Sequence, residues 1–270
     1  MHEKRWITCH PGERFDLSAI DPGADGGLDK EAGRRLLEEN GERLQDLQER
    51  LYAEGEQALL IVLQAMDAGG KDGAIKKVCG AFNPQGVQVT PFGVPTEGEL
   101  ARDFLWRVHR RVPRRGMIGV FNRSHYEDVL VVRVKQLVPD EVWRRRYDQI
   151  NAFERLLADT GTRVVKIYLH ISPDEQAERL CKRRDRPHKR WKLRLGDLED
   201  RRLWHDFRHA YEDALHLCNT ASAPWHVVPA DRKWYRDLAV SELLLRVLEE
   251  MDPRFPPPEP GIEEVEIPEV

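Results

Sequence analysis

The chain is poor in the features of secreted, disulfide-bonded or membrane-bound proteins. Its 270 residues include four cysteines, Cys9, Cys79, Cys181 and Cys218, scattered without paired spacing, which argues against a disulfide framework or a zinc site. The longest uninterrupted apolar run, Ala58 to Leu63, is six residues, whereas a membrane helix needs roughly 20. No apolar stretch follows the opening MHEKRWITCH, so no secretory leader is expected. A strong overall charge is also missing: 43 Lys and Arg against 47 Asp and Glu leave −4, and no global field attracts polyanions. These absences predict a cytoplasmic protein without membrane contact. The composition that remains, 40% hydrophobic and 33% charged, is that of a soluble globular chain long enough for one large domain.

Charge is unevenly spread along this near-neutral chain. From Arg179 to Arg202 there are eleven Lys and Arg against four Asp and Glu, and from Arg102 to Arg115 six arginines meet one aspartate. From Glu259 onward the chain carries five glutamates and no basic residue. Two basic segments in a mildly acidic chain fit a local polyanion site, and equally a solvated helix face laced with ion pairs.

Residues 1–28, with Pro11, Pro22 and several glycines, read as an irregular arm. Residues 255–270 read as an extended, acidic, proline-rich tail, and 29–254 as the domain between them. A helix is expected from Asp29 to Tyr52, where Leu37, Leu44, Leu47 and Leu51 share a side, and another from Asp140 to Ala158. Five short apolar runs rich in β-branched residues alternate with helical stretches: ALLIVLQ (58–64), VQVTPF (87–92), MIGVF (117–121), RVVKIYLHI (163–171) and WHVVPA (225–230). That alternation predicts an α/β fold with a five-stranded parallel sheet covered on both faces. Ser172, Pro173 and Glu175 are expected to open a helix as N-cap, N1 and N3 of a capping box.

The first apolar run leads into Ala65-Met66-Asp67-Ala68-Gly69-Gly70-Lys71-Asp72-Gly73 and then a helical stretch beginning at Ala74. Strand, glycine turn, lysine and helix is the order a phosphate-binding loop needs: glycines let the backbone wrap closely, amides face the anion, and lysine adds a point charge. The usual leading Gly is Ala65 here, and the usual Ser or Thr after Lys is Asp72. A glycine-rich surface turn is the alternative. Asp67, a carboxylate set among phosphate-binding groups, reads as a magnesium ligand or as a cap of the loop. The third run ends in Asn122-Arg123-Ser124-His125-Tyr126-Glu127-Asp128. There Arg123 beside Glu127 and Asp128 suits a clamp on a phosphoryl group with a metal nearby, or a cluster of charges paired among themselves. The basic stretch at about 180–202 lies between two helices, as a lid does, with Trp191 as its expected anchor.

The motifs QAMDAGGKDG (64–73), FGVPTEGELARDFLWRVH (92–109), FNRSHYEDVLVVRV (121–134), KRWKLRLGDLEDRRLW (189–204) and APWHVVPADRKWYR (223–236) together resemble the type-2 polyphosphate kinase family, with FNRSHYED similar to its class III subgroup. The resemblance implies a three-layer α/β/α, thymidylate-kinase-like phosphate-loop fold with a helical lid, and Mg²⁺ as cofactor. It implies reversible transfer of phosphoryl groups from inorganic polyphosphate to AMP and ADP, giving ADP and ATP. It places Asp67, Lys71, Arg123 and the lid arginine Arg183 at catalytic positions. Gly69, Gly70, Asp72, Gly73, Asn122 and His125 join them in binding substrate, and Glu127 and Asp128 join Asp67 as metal ligands. The cations Lys76, Lys77, Arg133, Lys189, Arg190 and Lys192 are expected to form a track for the polyphosphate chain, with the acceptor base near Phe92, Val94 and Thr96. A homo-oligomer, dimer or tetramer, is implied, with no nucleic-acid partner. An ATP-dependent nucleoside monophosphate kinase and a nucleic-acid-binding phosphate-loop module are the alternatives.

Overall fold

The computed structural model describes residues 4–268; positions 1–3 of the arm and 269–270 of the tail lie outside them. The strands are β1 (Ile7–Thr8), β2 (Ala58–Ala65), β3 (Val87–Pro91), β4 (Ile118–Asn122), β5 (Thr162–His170) and β6 (Trp225–Pro229). They form one sheet in the order β1-β6-β5-β2-β4-β3. The five strands expected from the sequence pair in parallel, and β1 joins the edge antiparallel to β6. Every residue of β2 is buried, which requires cover on both faces of the sheet.

Among the described residues, ten α-helices supply that cover and the connections between strands: α1 (Lys30–Glu54), α2 (Lys71–Lys77), α3 (Glu97–Leu100), α4 (Trp106–His109), α5 (Val131–Val134), α6 (Asp140–Asp159), α7 (Pro173–Asp185), α8 (Leu195–Arg202), α9 (Trp204–Leu217) and α10 (Lys233–Met251). Asp29 caps α1 through the amides of Glu31 and Ala32, and Gly55 ends it in the left-handed conformation. None of the described helices is long and apolar enough to cross a membrane.

The N-terminal arm is more structured than its glycines and prolines imply. Beyond β1, it buries Trp6, Cys9 and Leu17 in the main core. Three isolated apolar residues make no periodic pattern, so this anchoring had no signature in the sequence. The described part of the tail is almost wholly exposed from Arg254 onward. The capping box expected at α7 is half made. Ser172 Oγ accepts from the Glu175 amide, but the Glu175 carboxylate turns to Arg179, and the Ser172 amide donates to Asp231 instead.

Strand order fixes where a ligand can sit. β2 lies between β5 on one side and β4 on the other, so the loops leaving the carboxyl ends of β2 and β4 lie side by side. This is the kind of crevice in which open α/β sheets bind ligands.

Candidate active site

The loop after β2 is tightly determined. The Gly69 amide donates to Met66 O, and Lys71 Nζ donates to Ala65 O at 2.8 Å. Gly70 stands at φ +105°, and a Cβ there would lie 2.1 Å from Arg236 Nη1, so only glycine fits. Helix α2 starts at Lys71, earlier than the Ala74 start expected, and no side chain caps it. The Gly73 and Ala74 amides donate to Gly70 O, which leaves those of Lys71 and Asp72 to face an anion. Ala68 (φ +60°) and Arg123 (φ +63°) occupy the left-handed region that non-glycine residues avoid, and both lie at the crevice. Such strain persists only where surroundings over-determine it.

Asp67, Arg123 and Glu127 line one cleft, open to solvent, with Gln176, Asp200 and Tyr211. Arg123 Nη2 donates to Asp67 Oδ1 at 2.9 Å, and the Arg123 amide donates to Leu63 O of β2, stitching the two loops together. Burial works against the Arg123 charge, yet Glu127 and Asp67 hold its pKa above the ordinary value. Lys71 is pushed down to about 8, first by burial and then by the Arg123 charge. Burial likewise raises the Glu127 carboxyl, against the pull of Arg123 and Lys71. Arg123, Asp67 and Glu127 thus share one cleft, and Lys71 lies near enough to feel their charges.

Asp72, where many phosphate loops carry a hydroxyl residue, accepts from Asn122 Nδ2 at 2.9 Å and pairs with Lys192 of the basic stretch at 3.2 Å. Burial opposes ionisation of Asp72, but the Asn122 amide and Lys192 hold its pKa below the usual value. Asp72 thus sets a negative charge on the loop beside the neutral Asn122 at the end of β4. Arg183 Nη1 donates to Lys192 O at 3.2 Å and lies 3.7 Å from Asp197, so the basic stretch is internally braced. Arg190 Nε donates to Arg184 O; Lys189 is half-buried, and Lys76 and Lys77 are exposed on α2.

Several expected site residues are used elsewhere. His125 is buried, its Nε2 3.1 Å from Glu154 Oε1, and it stabilises the turn after β4 from below. Asp128 accepts from Arg146 Nη1 at 2.8 Å and does not line the cleft, which removes it from the metal set. Arg133 donates to Asp213 at 2.6 Å and to Tyr147, and its guanidinium lies over Trp143, so it is no free cation on a track. Phe92 is buried edge-on against Phe121, Thr96 caps α3, and Val94 is exposed, so these three make no base pocket. Trp191 is 75% exposed, and its contacts, Nε1 to His188 O and the ring to Lys192, stay within the basic stretch itself, so it does not pin that stretch to the domain.

Other residues of the site were invisible in the sequence. Gln176 Nε2 donates to Asp67 O, Tyr211 OH donates to Ala65 O, and buried Arg179 donates to Ala68 O. Arg179 stood in the basic count, but nothing in its spacing marked it as buried beneath the loop.

Of the three carboxylates that line the cleft, Asp200 pairs with Lys135 at 2.6 Å, while Asp67 and Glu127 suit magnesium, which usually takes one or two carboxylates and completes its shell with phosphate oxygens and water. No group of three or more His, Cys, Asp or Glu among the described residues forms a ready-made metal cage, and the donors present fit an ion that arrives with its phosphate.

The sequence profile of the family described as Polyphosphate kinase 2 matches residues 27–256. The chain is 54% identical to the AMP/ADP-polyphosphate phosphotransferase of Meiothermus ruber, over 95% of this chain and 97% of that one. It is 43% identical to the ADP-polyphosphate phosphotransferase of Rhodopseudomonas palustris, over 93% and 91% of the two chains. The crystal structure of Polyphosphate Kinase 2 from Arthrobacter aurescens TC1 matches with a TM-score of 0.90 at 45% identity, covering 93% of this chain and 90% of that one.

Proposed function

Because the chain belongs to the Polyphosphate kinase 2 family, we propose that it moves the terminal phosphoryl group of inorganic polyphosphate to AMP and ADP, forming ADP and ATP, reversibly. The observation that carries this reading is that Asp67, Arg123 and Glu127 line one cleft, with Lys71 close enough behind the loop to feel the charges of all three. The relatives named above carry polyphosphate in their names, which favours this donor over ATP and over a nucleic-acid partner.

A polyphosphate chain offers charge and no base or sugar, so fixed cations are the means of holding it. In this reading Lys71 and the first amides of α2 receive the donor phosphates, and Arg123 takes charge spreading over the transferred group. The acceptor oxygen belongs to a phosphate whose second pKa is about 6, so it is already ionised at neutral pH and no general base is needed. The work left to the protein is alignment and charge stabilisation. Asp67 and Glu127 would hold Mg²⁺, which when bound neutralises charge on the phosphate oxygens. Arg183, Lys189, Arg190 and Lys192 complete a basic lid over the acceptor, with Lys76 and Lys77 extending the track. The same reading carries a cytoplasmic homo-oligomer, dimer or tetramer.

Asp67→Asn tests the metal assignment. Its rate should fall about 100-fold at low Mg²⁺ and recover in part as Mg²⁺ is raised. A rate that stays flat across the titration, in a protein with an intact melting transition, removes Asp67 as a ligand.

A further inference from the structure

We propose that Arg179, together with Arg236, is a positioning residue of the phosphate loop, clamping it into its anion-receiving shape before any phosphate arrives. The proposal rests on the phosphoryl-transfer reading for its activity arm only.

Arg179 lies on α7, and its side chain is 6% exposed. It does not line the cleft. Its Nη1 donates to Ala68 O at 2.9 Å, and its Nη2 donates to Ala230 O at 2.5 Å and Asp231 O at 3.0 Å. Its Nε donates to Glu175 at 2.6 Å. One guanidinium therefore ties the loop after β2 to the segment after β6 and to α7. The guanidinium spreads these bonds over three nitrogens in one fixed plane, so that Nη1 and Nη2 reach separate segments, which the single nitrogen of an ammonium cannot reproduce.

The carbonyl held on the loop side belongs to Ala68, a non-glycine residue at φ +60°. An alanine in that conformation needs an external restraint, which glycine would not. Arg236 works on the next turn. It is anchored by Asp237, whose Oδ1 accepts from Nε at 2.9 Å, and its Nη1 fills the space a Gly70 side chain would need. A Cβ on Gly70 would also come within 3.3 Å of Arg179 Nη1, so the two guanidinium groups back the same short stretch of loop. The exposed cations of the lid meet substrate from above, whereas this buried pair fixes the backbone from behind.

The test uses Arg179→Lys, Ala68→Gly and the double variant in the full chain. Arg179→Lys keeps the charge and loses the fork, so kcat/KM for polyphosphate should fall about 30-fold, while KM for ADP changes less than about threefold. Hydrogen exchange on ligand-free protein should show amides 66–73 opening faster, with those of β2 and β5 unchanged. In the double variant, glycine adopts the positive φ unaided, and at least about fivefold of the lost kcat/KM should return. The proposal is overturned if Arg179→Lys stays within about threefold of the parent, if faster exchange spreads through the sheet, or if Ala68→Gly brings no recovery. The exchange measurement needs no substrate. Loop-restricted opening in a parent protein that does not use polyphosphate would sink the functional reading and leave the clamp standing.

Discussion

At the scale of single residues, the site depends on charges that are costly to hold. Lys71 sits among buried groups beside Arg123, and burial together with that neighbour brings it down to about 8. Its ammonium is therefore complete below that pH and lost above it, in contrast to an exposed lysine near 10.4. A cation needed to receive phosphate must be protonated, so kcat/KM for polyphosphate should fall as pH rises through about 8. Beyond that point the decline should approach tenfold per pH unit. The profile of the free enzyme, measured at fixed Mg²⁺, checks this; a plateau extending to pH 10 would mean Lys71 is not the group that titrates. Arg123 stays charged throughout, because Glu127 and Asp67 outweigh its burial.

At the scale of elements, the strand runs and the long helices were legible because their periodicities are strong. The five apolar runs became β2 to β6, and the helix expected at Asp140 to Ala158 is α6 with one further residue. Contacts between distant segments were not legible. Asp231 took over half of the α7 cap, and Arg146 claimed Asp128, each a partner far away in sequence. Asp67, Lys71 and Arg123 were readable because loop spacing carries their chemistry. Arg179, Gln176 and Tyr211 were not, because they act through backbone carbonyls of another segment.

The same kind of contact joins β5 to α6. Lys166 Nζ and Glu154 Oε2 lie 2.6 Å apart, both essentially inaccessible, with Tyr126 and His125 also bonded to Glu154. Replacing Lys166 by Met strands a buried carboxylate and should cost about 3–5 kcal/mol of stability. Adding Glu154→Leu to that variant should recover most of the loss. Urea denaturation of the single and double variants checks both values, and a double variant no more stable than the single would show that the pair itself carries the stability.

At the scale of the whole molecule, a chain of net charge −4 binds a polyanion only through locally gathered cations. Eleven basic residues lie between Arg179 and Arg202, in a stretch where Lys192 meets the loop after β2 through Asp72. Many weak contacts to a long chain release many counterions, so affinity for long polyphosphate should fall more steeply with salt than affinity for ADP. Equal slopes on a double-logarithmic plot would contradict a cation track.

The most direct measurement gives the purified protein AMP, Mg²⁺ and long-chain polyphosphate, with no ATP, and follows the nucleotides by chromatography. ADP should appear first and ATP after it, as the chain shortens. AMP that stays unchanged, in a protein that converts it once ATP is supplied, would contradict the account.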